Sequence, residues 1–154
     1  MYRTILLAYD GTLEGRLALR EGARLAQICG ARVVLLAVVE HGPEVFAGVG
    51  DAVYVTPDRT DEVQKTLDEG AARLVRMGFN PEVCLERGPA AETIKSVAQE
   101  VSADLVVVGH HKQGAMARWL MGSVTTSLSD SLDCSLLVAR MEISEEALFG
   151  GHAQ

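Results

Sequence analysis

The order of apolar segments along the chain predicts an α/β domain of three layers, a doubly wound parallel sheet between two sets of helices. Three observations lead there. Strand-like and helix-like patterns alternate from end to end, the arrangement that right-handed crossovers turn into a parallel sheet. Most strand segments are unbroken apolar runs, as expected of strands covered on both faces. Apolar residues make up 48% of the chain and aromatics only 5%, so the interior must be built from Val, Leu, Ile and Ala. A chain of 154 residues suits one domain with a substantial core. That domain is expected over residues 1–141, with 142–154 as a C-terminal tail.

The first strand is read at Thr4–Tyr9 and ends at Asp10-Gly11-Thr12. A helix follows over Leu13–Cys29, with Leu17, Ala18, Leu25, Ala26 and Ile28 as its apolar face and Gly30 as its stop. The second strand is Arg32–Val39. Residues 40–60 carry Gly42, Pro43, Gly48, Gly50 and Pro57 without a period and read as a long loop. A helix capped by Thr60 or Asp61 then runs to about Met77. The third strand, Glu82–Arg87, alternates in polarity and suits a sheet edge. Gly88-Pro89 opens a helix through Ala98, and the fourth strand, Asp104–Val108, is apolar enough to be internal. A helix from Gly122-Ser123 to Leu132 and a last strand, Ser135–Ala139, complete the set.

Charge and cysteine content narrow the classes. Asp and Glu number 21 against 14 Lys and Arg, a net charge of −7, which argues against a general nucleic-acid or anionic-membrane surface. Cys29, Cys84 and Cys134 are odd in number, widely spaced and set among apolar residues, which fits reduced thiols rather than a disulfide frame or zinc site. No apolar run approaches the roughly 18 residues of a membrane span, and the N-terminal run Ile5–Ala8 is too short for a secretory core. A cytoplasmic location is the expectation.

In a doubly wound sheet, ligands bind beyond the carboxyl ends of the strands where the strand order reverses. Three segments fall at such ends: Asp10-Gly11-Thr12, Val38-Val39-Glu40, and the stretch from Gly109 to Thr126. The last is the most informative. Its glycines allow backbone amides to approach phosphate oxygens, and Gly122-Ser123 at a helix start offers free N–H groups, a hydroxyl and the positive end of the helix dipole. The alternative is an ordinary loop in which Ser123 caps a helix. Asp10 likewise has two readings, a contact to a metal-bound phosphate or a cap on the turn into the first helix. His110 and His111 are adjacent, without ligands at metal spacing, so no metal site is expected.

The chain resembles the universal stress protein family over nearly its whole length. The resemblance rests on Asp10-Gly11-Thr12, Leu36-Ala37-Val38-Val39, Gly88-Pro89-Ala90, the run Ala103–Gly109, Gly122-Ser123-Val124 and Cys134–Val138. It implies a five-stranded sheet of order 3-2-1-4-5, a homodimer joined through the last strand at Leu136, Leu137 and Val138, and, in one branch, binding of ATP or another adenine nucleotide, with magnesium as its companion ion. The nucleotide would then meet Ala8, Tyr9 and Asp10, with Val38 against the adenine. Val108 and Gly109 would lie under the ribose and phosphates, Lys112 and Gly114 in the loop, and Gly122, Ser123, Val124 and Thr125 at the phosphates.

That branch carries a glycine, two residues, a second glycine, nine residues, then glycine with Ser or Thr. Gly109 and Gly122-Ser123 match, but Lys112 stands at the second glycine. A lysine there either strains a left-handed turn and obstructs phosphate, or the turn shifts to Gly114 and the ammonium neutralises phosphate. The motifs of P-loop enzymes and of serine hydrolases are absent from the sequence, and no residue stands out as a general base. A nucleotide-binding regulatory protein is the expected class. A ligand-free stress protein acting through protein partners is the alternative.

Overall fold

A computed structural model describes residues 1–40, 58–110 and 123–140. Nine elements follow in chain order: β1 (Thr4–Ala8), α1 (Leu13–Cys29), β2 (Arg32–Val39), α2 (Thr60–Arg76), β3 (Glu82–Arg87), α3 (Ala90–Glu100), β4 (Leu105–Gly109), α4 (Ser123–Ser131) and β5 (Ser135–Ala139). The strands form one sheet of order β3-β2-β1-β4-β5, with every pairing parallel. This is the predicted doubly wound α/β fold.

Period-two alternation sorts the strand side chains into two cores. Ile5, Leu7, Tyr9, Val33, Leu35, Ala37 and Val107 pack with Ala18, Leu19, Ala23 and Ala26 of α1 and Leu67 and Leu74 of α2. Leu6, Ala8, Val34, Leu36, Val38, Val106 and Val108 face the other way, onto Ala90, Ile94, Val97 and Ala98 of α3 and Leu128 of α4. Burial on both faces explains why β1, β2 and β4 read as continuous apolar runs. Strand β3 is the exception, with Glu82, Val83, Glu86 and Arg87 exposed. Its polar alternation marks the edge, as expected.

Several boundaries moved by a residue or two. Strand β1 ends at Ala8, although the Tyr9 N–H still donates to the Leu36 carbonyl at 2.8 Å. The cap of α2 is Arg59, one step before the expected Thr60 and without a side-chain hydrogen bond; instead Asp58 accepts from the Thr60 N–H at 3.0 Å. Helix α3 runs on to Glu100.

Strand β4 begins at Leu105, and Asp104 just before it already joins the neighbouring strand through its backbone, its N–H donating to the Thr4 carbonyl at 2.9 Å. Its side chain adds two bonds more: Oδ2 accepts the backbone N–H groups of Arg3 at 2.7 Å and Thr4 at 2.8 Å. These two bonds tie the start of β4 to the start of β1 and hold the Asp104 carboxyl below its ordinary pKa. A carboxylate with a depressed folded pKa contributes stability above its unfolded pKa and loses it as pH falls through the folded value. The urea midpoint should therefore fall as the buffer is acidified from about pH 5 toward pH 3. Asp104→Asn, which keeps an acceptor but has no proton to bind, should flatten that part of the profile. An identical acid-side slope in the variant would contradict the linkage.

Candidate functional site

The order β3-β2-β1-β4-β5 reverses between β1 and β4, so the crevice favoured by this architecture lies beyond the carboxyl ends of those two strands. Residues 9–12 leave β1 there, residues 109–110 leave β4, and Val38 to Glu40 end the neighbouring β2.

The turn after β1 is built by hydrogen bonds. Asp10 Oδ1 accepts the Thr12 N–H at 3.0 Å and the Thr12 hydroxyl at 2.6 Å. Thr12 Oγ1 in turn accepts the Gly15 N–H at 3.1 Å and caps α1. The capping role of Asp10 is thus seen directly, exercised through Thr12. Gly15 makes room for it, since a Cβ there would stand 2.4 Å from Asp10 Oδ1.

Gly109 ends β4 against the first turn of α1. A Cβ on it would lie 2.7 Å from the carbonyl carbon and oxygen of Glu14 and 2.9 Å from the Gly15 nitrogen. The sequence singled out Gly109 for phosphate approach, and the structure adds a packing requirement: only glycine lets the helix sit this close to the strand. The His110 N–H donates to the Ala139 carbonyl at 2.8 Å, carrying the sheet ladder one step past Gly109.

The other expected contacts divide between the two faces. Ala8, Val38 and Val108 turn toward the α3 and α4 layer. Tyr9 turns the opposite way, its ring 1% exposed among α1 and α2, so only its backbone belongs to the strand-end surface. The Tyr9 hydroxyl donates to Glu69 of α2, and Glu69 also accepts from Arg73 and faces Arg16 at 3.9 Å. Burial and the Glu69 bond push the Tyr9 phenol up to about 12. For Glu69 burial acts upward, but the hydrogen bonds from Tyr9 and Arg73 prevail and hold its carboxyl below the usual range.

Ser123 opens α4, Val124 packs on the α3 and α4 core, and Thr125 is half-buried in the first turn. Lys112, Gly114 and Gly122 lie outside the described residues. Among the described residues no group of three or more His, Cys, Asp or Glu could hold a metal ion, and no helix is long and apolar enough to cross a membrane.

Sequence reasoning missed Gly15, whose signal was its place three residues after the capping threonine, and it placed Glu40 at a strand end without giving its side chain a role. Glu40 follows β2 and its Oε1 accepts the Ala90 N–H at 3.1 Å, serving α3, whose own cap residue Pro89 has no side-chain bond to give. Burial raises the Glu40 carboxyl pKa, and the Ala90 bond works against that rise.

A doubly wound parallel sheet of order β3-β2-β1-β4-β5, with a hydrogen-bonded turn after β1, a glycine ending β4 and a hydroxyl-rich α4, defines the class as Rossmann-like α/β domains. The sequence profile described as the universal stress protein family matches residues 1–140, and the chain belongs to that family. It is 32% identical over 138 residues to the universal stress protein Sll1654 of Synechocystis sp., covering 90% of this chain and 85% of the relative. A universal stress protein solved in complex with cAMP superposes with a TM-score of 0.66 at 22% identity, covering 89% of this chain and 96% of the other. A family protein of Arabidopsis thaliana with AMP bound superposes at 0.63 and 15% identity, covering 95% and 99%.

Proposed function

We propose that this protein is an adenine-nucleotide-binding regulatory member of its family, working as a cytoplasmic homodimer rather than as a fast enzyme. The observation that carries this reading is the juxtaposition at the switch point. The Asp10 turn, the apolar end of β2 at Val38 and the glycine end of β4 stand side by side in the order β2-β1-β4, and α4 begins with Ser123 and Thr125 in its first turn. An apolar strand end suits a base, and the unpaired N–H groups of a helix start suit phosphate. Structural neighbours of the same fold hold cAMP and AMP. Binding would bias the protein between two states by differential affinity. Magnesium, if used, would sit on the phosphates.

Calorimetry with AMP, ATP and cAMP on protein stripped of carried-over nucleotide tests this, with saturable one-site binding expected. Gly122→Ala adds a methyl where backbone amides would approach phosphate and should weaken binding about tenfold, the loss of one charge-assisted hydrogen bond. Absence of heat and of dialysis-detected binding with all three nucleotides would defeat the reading.

The dimer is proposed through β5, which pairs with β4 along one edge only and carries the partly buried Leu136, Leu137 and Val138. An unpaired edge with apolar side chains is a template for a second strand. Val138→Lys should shift light-scattering mass from dimer to monomer; an unchanged mass would place the interface elsewhere.

A further inference from the structure

We propose that Glu40 reads the six-position of the bound purine, accepting a hydrogen bond from the exocyclic amino group of adenine and rejecting a six-keto purine. The proposal rests on the nucleotide reading of the strand-end site and extends it to base selection. Val38 is the last residue of β2 but one, its side chain facing the α3 and α4 layer. Glu40 is two residues further on, so alternation carries it to the same side, and its bond to the first N–H of α3 shows that it points there. From β4, where the phosphate end would begin, to β2 is two strand spacings, about 10 Å. A nucleotide lying across the strand ends with phosphate at the start of α4 therefore brings its base over the end of β2. There Val38 supplies the apolar surface and Glu40 the polar atom beyond it.

The chemistry at that spot is one-sided. An ionised carboxylate only accepts hydrogen bonds. One oxygen of Glu40 is engaged by Ala90, which orients the group and leaves the other oxygen with lone pairs to offer. Adenine presents a donor at its six-position, whereas hypoxanthine and guanine present an oxygen there, and two acceptors facing one another leave both unpaired. Unpaired polar groups in a partly buried site are strongly disfavoured, which is how a hydrogen-bonding pocket discriminates better than an apolar one.

The test compares AMP with inosine 5′-monophosphate, which differs at that position in having a keto oxygen and a ring N–H, by competition calorimetry on the full chain. The wild-type protein is expected to favour AMP by roughly tenfold or more, the scale of one hydrogen bond to a charged group. Glu40→Gln keeps an acceptor for the Ala90 N–H, so α3 stays capped, and its amide can turn a donor toward a keto oxygen. The AMP preference should then collapse toward parity, with the thermal midpoint of the variant nearly unchanged. A wild-type protein that binds AMP and the inosine nucleotide equally, or a Glu40→Gln variant that keeps the full preference, overturns the role of Glu40 while leaving the nucleotide site intact. A wild-type protein that binds neither overturns the site and the role together.

Discussion

Gly109→Ala should destabilise the domain by about 3 kcal/mol, at the upper end of ordinary overpacking. The added methyl would meet the backbone of Glu14 and Gly15 at 2.7–2.9 Å. No side chain can swing aside to relieve it, so either β4 or the whole first turn of α1 must move. That turn is pinned by the Asp10-Thr12-Gly15 hydrogen bonds, and yielding there would dismantle the surface proposed to receive the nucleotide. A lowered urea midpoint with an unchanged slope is the expected signature. Gly30→Ala makes a useful contrast. Its φ is +63° at the end of α1, and a Cβ there meets nothing within 4 Å, so the cost should be only the roughly 1 kcal/mol of a left-handed alanine. If the two variants prove equally mild, the close approach of α1 to β4 is not a rigid requirement.

This contrast also shows what a single sequence can and cannot convey. The buried strands were legible because apolar runs such as Val33 to Val39 and Leu105 to Val108 have no other plausible use, and β3 announced its edge by alternating Glu and Arg with Val, Cys and Leu. The sheet order came from the family resemblance, since periodicity alone does not say which strands are neighbours. At the site, Asp10, Val38 and Gly109 could be picked out because they end strands, and position along an element is a local property. What each side chain does there is not local. Tyr9 sits beside Asp10 in the chain, yet alternation turns its ring to the opposite layer, onto a carboxylate 60 residues away. Glu40 looked like the start of a loop, and its partner Ala90 is 50 residues on. Gly109 was conspicuous as a strand end open to phosphate, whereas the contact that demands glycine there comes from a helix nearly a hundred residues earlier.

Tyr9→Ala carries the other large expectation, a loss of about 4 kcal/mol. Removing a buried aromatic ring forfeits its transfer free energy and leaves a cavity that helices fixed by the sheet cannot fully close. The ring bridges the end of β1 to α2, where it touches the space over Gly70, and its hydroxyl meets Glu69. Tyr9→Phe separates the two contributions: it keeps the packing and removes only the hydrogen bond, so its cost should be about 2 kcal/mol, the value of a bond to a charged acceptor. Titration gives an independent view of the same bond. With the folded phenol pushed up to about 12 and an unfolded value near 10, the unfolded chain releases its proton first. Stability contributed by this group is complete below about pH 10 and is lost as pH rises from there toward the folded value. The urea midpoint of the native protein should fall over that interval, and Tyr9→Phe, having no proton to lose, should fall less. A phenylalanine variant as damaged as the alanine one would mean that the Glu69 contact, rather than the ring, holds α2 to the sheet. A phenylalanine variant with native stability and the native alkaline profile would mean that the contact holds nothing. The intermediate outcome makes Tyr9 the residue through which the turn at Asp10 is braced from behind, by packing first and by charge second.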